Sequence, residues 1–183
     1  MKKAVFIDRD GTFNKDFDYV HTIYNFDWIT GAKDGLRCFK ELWYLLIVLT
    51  NQSGVARGYF SESDILRLHR SIQQDLRLSH QVEIDAFYYC PHHPEGVVEK
   101  YRKICDCRKP ASGMFRKAIL EWDIDPVQSI AIGDKEKDLI PARDVGISNL
   151  FLFDSNERNR QTILWFSRIN SWQELIDSYK ITF

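Results

Sequence analysis

The chain contains no apolar run of 18 residues and no basic, apolar, small-residue start of the kind that directs export. Neither a membrane-spanning helix nor a secretory leader is expected, and the cytoplasm is the expected location. An excess of one charge is also missing: 25 Lys and Arg stand against 26 Asp and Glu, a net charge of −1, so nothing drives the chain toward nucleic acid or an anionic membrane as partner. Repeats, low-complexity tracts and linker-like stretches are absent, and residues 1–183 read as a single domain, expected to be a monomer. Cysteine is scarce, at four residues. Cys38 lies alone in a helical pattern and reads as a small buried hydrophobe. Cys90, Cys105 and Cys107 crowd with His92 and His93, and an odd, clustered set without an export signal points to metal rather than disulfides.

What is present is a hydrophobic content of 44% beside 28% charged residues, the balance of a globular protein with its own core. The chain is organised around Asp8-Arg9-Asp10-Gly11-Thr12, which follows the apolar run Ala4-Val5-Phe6-Ile7. Such a run, ending in two carboxylates and a glycine, predicts a buried strand entering a polar loop. Helical spacing over Gly31–Tyr44 leads into a second strand at 45–50, which ends in Thr50-Asn51-Gln52-Ser53-Gly54. Ser61 caps a helix with Ile65, Leu68, Ile72 and Leu76 on one face. Further strands are predicted at 84–89, 129–132 and 150–153, with helices at 112–122 and in the short stretch after Asp134. Strands in near-continuous apolar runs, alternating with helices, mean an α/β fold with a parallel sheet covered on both faces. Beyond Phe153, residues 154–161 read as a polar surface segment, and Trp172, Leu175 and Ile176 as the inner face of a last helix.

Every chemically suggestive group follows a strand, where the reacting groups of open parallel sheets gather. Two carboxylates at i and i+2 can hold one hard cation between them. With Mg²⁺ in place Asp8 becomes a nucleophile toward phosphorus, and Asp10 is placed to handle a proton. Asp8 and Asp134 can supply metal ligands, joined by the backbone carbonyl of Asp10. Thr50 and neighbouring N–H groups can bind phosphate oxygens, Lys109 can neutralise developing charge, and Asp138 can orient Lys109 or a metal-bound water. Singly, each has a plainer reading as an acidic turn, a helix cap or a surface lysine. Their joint occurrence at successive strand ends favours a phosphoryl-transfer site.

Asp8-Arg9-Asp10-Gly11-Thr12, Thr50-Asn51-Gln52-Ser53-Gly54, Arg108-Lys109-Pro110 and Gly133-Asp134-Lys135 with Asp138 resemble the four motifs of haloacid dehalogenase superfamily phosphatases, over residues 4 to 153. The resemblance implies a Rossmann-like sheet, Mg²⁺ dependence with Asp8, Asp10 and Asp134 at the metal, Asp8 as the residue phosphorylated in the intermediate, and Asp10 as general acid and base. Caps usually enclose such sites, but no stretch here is long enough for a large cap domain. The candidates to cover substrate are the loop 14–30, with Tyr19, His21, Tyr24, Phe26 and Trp28, and the cysteine loop. Those aromatic residues fit the core equally well.

Cys90-x-His92 and, after twelve residues, Cys105-x-Cys107 give three sulfurs and one imidazole, a tetrahedral set suited to structural Zn²⁺, in a loop of about 90–107. Iron would also suit sulfur ligands. His93 is a spare beside His92. The run Cys90-Pro91-His92-His93-Pro94 joined to Cys105–Pro110, with Tyr19-Val20-His21 and Thr50–Ser53, resembles the zinc-loop branch of the superfamily that holds heptose-bisphosphate and histidinol-phosphate phosphatases. Ser53 and the spacer length favour the heptose enzymes. A small sugar phosphate is then the implied substrate, contacted by Asp16, Phe17, Asp18, Tyr19, Thr50, Asn51, Gln52, Ser53, Arg108 and Lys109, with Arg108 gripping a distal phosphate. A zinc-stabilised binding module without catalysis is the contrasting class, which has no need of intact Asp8, Asp10, Lys109 and Asp134. Two departures stand out: Asp18 replaces the glycine usual before Tyr19, and Glu41-Leu42-Trp43-Tyr44 lacks the usual glycine before the second strand.

Overall fold

The computed structural model describes residues 1–154 and 165–180; most of the expected surface segment 154–161 lies outside the described residues. Six parallel strands, β1 (Ala4–Ile7), β2 (Leu45–Asn51), β3 (Ala86–Cys90), β4 (Ile130–Gly133), β5 (Asn149–Phe153) and β6 (Ser167–Ile169), form one sheet in the order β3-β2-β1-β4-β5-β6. Five match the predicted strands within two residues. The sixth, three residues long, is too short to leave a periodic signal in sequence.

The alternation of side chains along β1 divides the core. Val5 and Ile7 face one layer with Leu36 and Phe39 of α1 (Ala32–Glu41), Leu68, Ile72 and Leu76 of α2 (Glu62–His80), and Trp172 and Leu175 of α5 (Trp172–Lys180). Ala4 and Phe6 face the other, with Met114, Phe115 and Ala118 of α3 (Gly113–Trp122) and Leu139 and Ala142 of α4 (Glu136–Asp144). All four β1 residues are buried, as the apolar run requires, and Cys38 is buried as expected. Ser61 closes a reciprocal capping box with Asp64, fixing where α2 begins.

β1 sits between β2 and β4, with later strands added on either side. Its carboxyl end is therefore the topological switch point, the crevice where open α/β sheets bind ligands. No described residues form a large cap over it.

Both departures fall where the backbone is left-handed. Asp18 has φ +55° and Tyr19 φ +57°, so the turn survives without glycine. Trp43 has φ +64° just past α1, where Trp43 N–H donates to Lys40 O and Tyr44 N–H to Phe39 O, a glycine-type helix end occupied by an exposed indole. The missing glycine is thus a backbone change rather than one of packing.

Trp172 links the last helix to the active loop. It is fully buried, its Nε1–H donates to Thr12 O at 2.9 Å, and a Cβ on Gly35 of α1 would lie 2.2 Å from its ring. Helix propensity alone favours Gly35→Ala by about 1 kcal/mol. The indole reverses the sign: Gly35→Ala is expected to lower stability by roughly 1–3 kcal/mol, read as a fall in the urea midpoint at unchanged m-value.

Candidate active site

β1 runs directly into Asp8, β2 ends at Thr50 and Asn51, and β4 at Gly133, so these three neighbouring strands deliver their polar ends to one cleft. Its volume is about 210 Å³, and its lining includes Asp8, Asp10, Asp16, Asp18, Tyr19, Thr50, Asn51, Gln52, Ser53 and Asp138. Gly11, at φ +86°, lets the loop pass against Asp134, where a Cβ would lie 2.5 Å from a carboxylate oxygen.

Lys109 enters from the loop beyond the cysteines and is 3% exposed. Its ammonium donates to Asp8 Oδ1 and to Leu49 O, both at 2.7 Å, and lies 2.8 Å from Asp138 Oδ1 as an ion pair. Burial opposes its charge, but Asp138 and Asp8 outweigh burial and raise its pKa, keeping it cationic. Asn51 locks its main chain: the amide donates to Lys109 O at 3.0 Å and accepts from Lys109 N–H at 3.1 Å. Asn51, read from sequence as a substrate contact, thus also positions Lys109. Asp138, read from sequence as orienting either Lys109 or a metal-bound water, lies at ion-pair distance from Lys109.

Asp10 faces the other way. Its carboxylate accepts from Arg9 Nε and Nη2, Asn14 Nδ2 and Gln52 Nε2 at 2.9–3.1 Å, with Thr50 Oγ1 at 3.5 Å. Burial pushes its pKa up, yet the charge of Arg9 and these hydrogen bonds bring the net value below the usual range. Arg9 is fully buried, an unusual place for a guanidinium that this pairing explains. The carboxylate oxygens that converge are those of Asp8, Asp134 and Asp138, within 4.8 Å of one another. Of the expected trio at the metal, Asp10 is therefore left with its backbone carbonyl.

These residues fit a hard divalent cation. Asp134 Oδ1 is buried with no hydrogen-bond donor, and oxygen ligands suit such an ion. Burial raises the Asp8 pKa, Lys109 lowers it and Asp138 and Asp134 raise it again, so that it is pushed up to about 8. Burial likewise raises Asp134, despite Lys135 at 2.9 Å. A cation would relieve that crowding.

At the rim the expected contacts separate. Asp18 and Tyr19 line the cleft, and Tyr19 meets Tyr59 edge-on at 4.8 Å, whereas Phe17, 58% exposed, borders a different hollow with Tyr24. Phe26 and Trp28 pack into the core with Phe13, His21 stacks on Phe60, and of the aromatic loop only Tyr19 lines the cleft. Lys135 and Lys137 also line the cleft, and Lys135 lies 3.5 Å from Asp16. Neither was singled out from sequence, although Lys135 immediately follows the third carboxylate.

The second cluster stands in the loop after β3. Cys90 Sγ lies 3.5 Å from Cys105 Sγ and 3.7 Å from His92 Nδ1; Cys107 Sγ lies 3.2 Å from both other sulfurs and 3.3 Å from His92 Nδ1. Cys90, Cys105 and Cys107 form no disulfide with one another. Three sulfurs and an imidazole nitrogen at these separations fit one tetrahedral, soft metal ion such as zinc. His93 stands outside the set.

Comparison with known proteins agrees with this geometry. A family described as HAD-hydrolase-like matches residues 106–162. The fold superposes on a putative HAD-like phosphatase from Mesorhizobium loti with TM-score 0.86 at 26% identity, covering 98% of this chain and 87% of that one. It also superposes on D,D-heptose 1,7-bisphosphate phosphatase from B. bronchiseptica, solved with magnesium and phosphate, with TM-score 0.85 at 24% identity, over 99% of both chains. Fold and site together define a haloacid dehalogenase-like phosphatase. In sequence the chain is 54% identical over 139 residues to D-glycero-beta-D-manno-heptose-1,7-bisphosphate 7-phosphatase of Haemophilus influenzae, covering 76% of this chain and 74% of the relative. To the enzyme of that name from Haemophilus ducreyi it is 48% identical over 82% of each chain. The chain belongs to the D-glycero-beta-D-manno-heptose-1,7-bisphosphate 7-phosphatase family.

The raised Asp8 pKa has a measurable sign. Folded, the group keeps a proton up to about pH 8 that the unfolded chain loses near 3.8, so it binds more protons folded than unfolded in that window. Metal-free protein should therefore lose stability as pH rises from about 4 to about 8, and added divalent cation, which takes the ionised form, should restore it. Urea unfolding across that range, with and without Mg²⁺, checks this; Asp8→Asn should flatten both the slope and the cation response.

Proposed function

We propose that this chain is a Mg²⁺-dependent phosphatase that removes the C7 phosphate of D-glycero-D-manno-heptose 1,7-bisphosphate to leave heptose 1-phosphate, as a step toward nucleotide-activated heptose for surface polysaccharide. The observation that carries the reading is Asp8 held 2.7 Å from a buried Lys109, beside a cleft whose far wall presents an independently bonded Asp10. Its relatives supply the substrate by name.

Asp8, Asp134 and the Asp10 carbonyl would hold Mg²⁺, which supplies charge neutralisation at the transferring phosphoryl group. The Asp8 carboxylate attacks phosphorus, the bond from phosphorus to the C7 oxygen breaks, and Asp10 gives its proton to that oxygen. Asp10 is ionised in the free site, and the negative charge of a phosphate seated beside it raises its proton affinity. Asp10 then takes a proton from water as the oxygen of that water attacks the aspartyl phosphate, the bond from phosphorus to Asp8 breaks, and inorganic phosphate leaves. Lys109 stays charged throughout and offsets the negative charge on Asp8 and the phosphoryl oxygens, with Thr50 donating from the opposite side. Lys135 and Lys137 add positive charge at the mouth. The sulfur cluster would hold structural Zn²⁺ and pin the loop 90–107, fixing Arg108 and Lys109 immediately beyond it.

Phosphate release should be fastest on heptose 1,7-bisphosphate when both its anomers, fructose 1,6-bisphosphate and histidinol phosphate are compared with Mg²⁺. Faster turnover of histidinol phosphate would keep the chemistry and overturn the substrate. Asp8→Asn should lower kcat by on the order of 10⁴-fold or more with zinc content and fold intact; surviving activity would sink the covalent route. Purified protein should carry about one zinc per chain, and Cys107→Ser should lose it together with most turnover, since Lys109 then loses its anchor.

A further inference from the structure

His69 of α2 is a buried polar residue that lines no part of the cleft. It is 5% exposed, with its ring stacked on Phe87 at 4.3 Å and 18° and set edge-on to Tyr89 at 6.2 Å, so β3 holds it from one side. An apolar ring would fit that place as well. Yet both ring nitrogens are buried without a hydrogen-bond partner. Burial, then the charge of Arg9, push its pKa down to about 3 against the pull of Asp10, so the ring is neutral and within reach of both charges. It therefore carries one N–H donor and one bare acceptor nitrogen.

Arg9 has the complementary shortage. Its Nε donates to Asp10 Oδ1 at 3.1 Å, and its Nη2 donates to Asp10 Oδ1 at 2.9 Å and to Val20 O at 2.6 Å, while Nη1 is buried with no partner. Asn14, the other donor to Asp10 Oδ1, leaves its own Oδ1 buried and unpartnered. Nη1 carries two N–H bonds, and a buried guanidinium short of acceptors is costly and rare. Buried polar groups with no protein partner bond to internal water, which accepts on one side as it donates on the other. A water between Arg9 Nη1 and the bare ring nitrogen of His69 accepts from the guanidinium and donates to the ring.

We propose that His69 is a positioning residue for the reaction: through an internal water it fixes Arg9 Nη1, and Arg9 in turn fixes the Asp10 carboxylate. This rests on the reading of Asp10 as the group that gives its proton to the departing oxygen. Arg9 grips Asp10 through Nε and Nη2, and a tether on the third nitrogen keeps the guanidinium from turning away, so Asp10 keeps its direction toward the cleft. His69 acts only through Arg9. Its effect is confined to steps in which Asp10 carries a proton, and an ester whose leaving group departs as a stable anion does not need it.

The test is the ratio of kcat/KM for heptose 1,7-bisphosphate, whose C7 oxygen needs a proton to leave, to that for p-nitrophenyl phosphate, whose phenolate does not. His69→Phe keeps the stack on Phe87 and removes the nitrogens; it should lower the ratio by about 10- to 100-fold, mostly through kcat for the bisphosphate. His69→Gln, which can still bond a water, should recover most of that loss, and Asp10→Asn should lower the ratio further. Ile72→Val, which trims the same buried face of α2, should lower the urea midpoint and keep the ratio. The stability of His69→Phe decides independently of any substrate. With the water bridge it strands Arg9 Nη1 and lowers the urea midpoint; with ring nitrogens that bond nothing it raises it. A His69→Phe ratio within about twofold of wild type, an equal loss on both esters, or a raised midpoint would overturn the proposal. Should wild type prefer a different alkyl phosphate, the heptose reading fails, while the same ratio with that ester still decides the role of His69. An Asp10→Asn loss equal on both esters would overturn the proton role of Asp10 and the proposal with it.

Discussion

The ammonium of Lys109 sits among Asp8, Asp138 and the carbonyl of Leu49, and the geometry of the cleft depends on that contact. Removing either carboxylate would leave a buried cation short of charge, and removing the cation would leave two carboxylates, from β1 and α4, facing each other at the end of the sheet. The contact ties three separate pieces of chain to one point: the end of β1, the first turn of α4 and the loop after the sulfur cluster. It also fixes the orientation of Asp8 before any ligand arrives, and for the proposed reaction, with Asp8 as nucleophile, that is the preorganisation phosphoryl transfer needs.

The rest of the molecule supports that arrangement from a distance. Asn51 clamps the Lys109 backbone from β2, and the cysteine and histidine ligands would fix the loop that carries Lys109. Trp172 reaches from the last helix to the carbonyl of Thr12, bracing the loop that bears Asp8 and Asp10 against α1. The two carboxylates two residues apart are thereby separated in environment. Asp8 is drawn to Lys109 and the other acids and held high, while Asp10 is drawn to Arg9, Asn14 and Gln52 and held low. Pushing apart the pKa values of neighbouring acids lets one loop supply two different chemistries, as the roles proposed for Asp8 and Asp10 require. Among the described residues no large cap covers the cleft, and its outer wall is made by short segments bearing Asp16, Asp18 and Tyr19, Ser53 and Gly54, and Lys135 and Lys137.

Local physics wrote much of this in the sequence. Near-continuous apolar runs marked five of six strands, because a strand buried on both faces needs no alternation; the capping box at Ser61 placed α2; and carboxylates, amides and a lysine just after strands marked the cleft. The spacing of Cys90, His92, Cys105 and Cys107 announced a metal set because both ligand pairs are local. What tertiary structure decided was where side chains on different strands point. Asp10 turns away from Asp134, and Asp138 turns toward Lys109, because Arg9 is buried beside one and Lys109 beside the other. Phe26 and Trp28 became core while Tyr19 became lining; Trp43 took a left-handed helix end; and Arg57 met His93 through two loops 36 positions apart. Periodicity and motif spacing report only on neighbours along the chain, and these contacts are made by neighbours across the sheet.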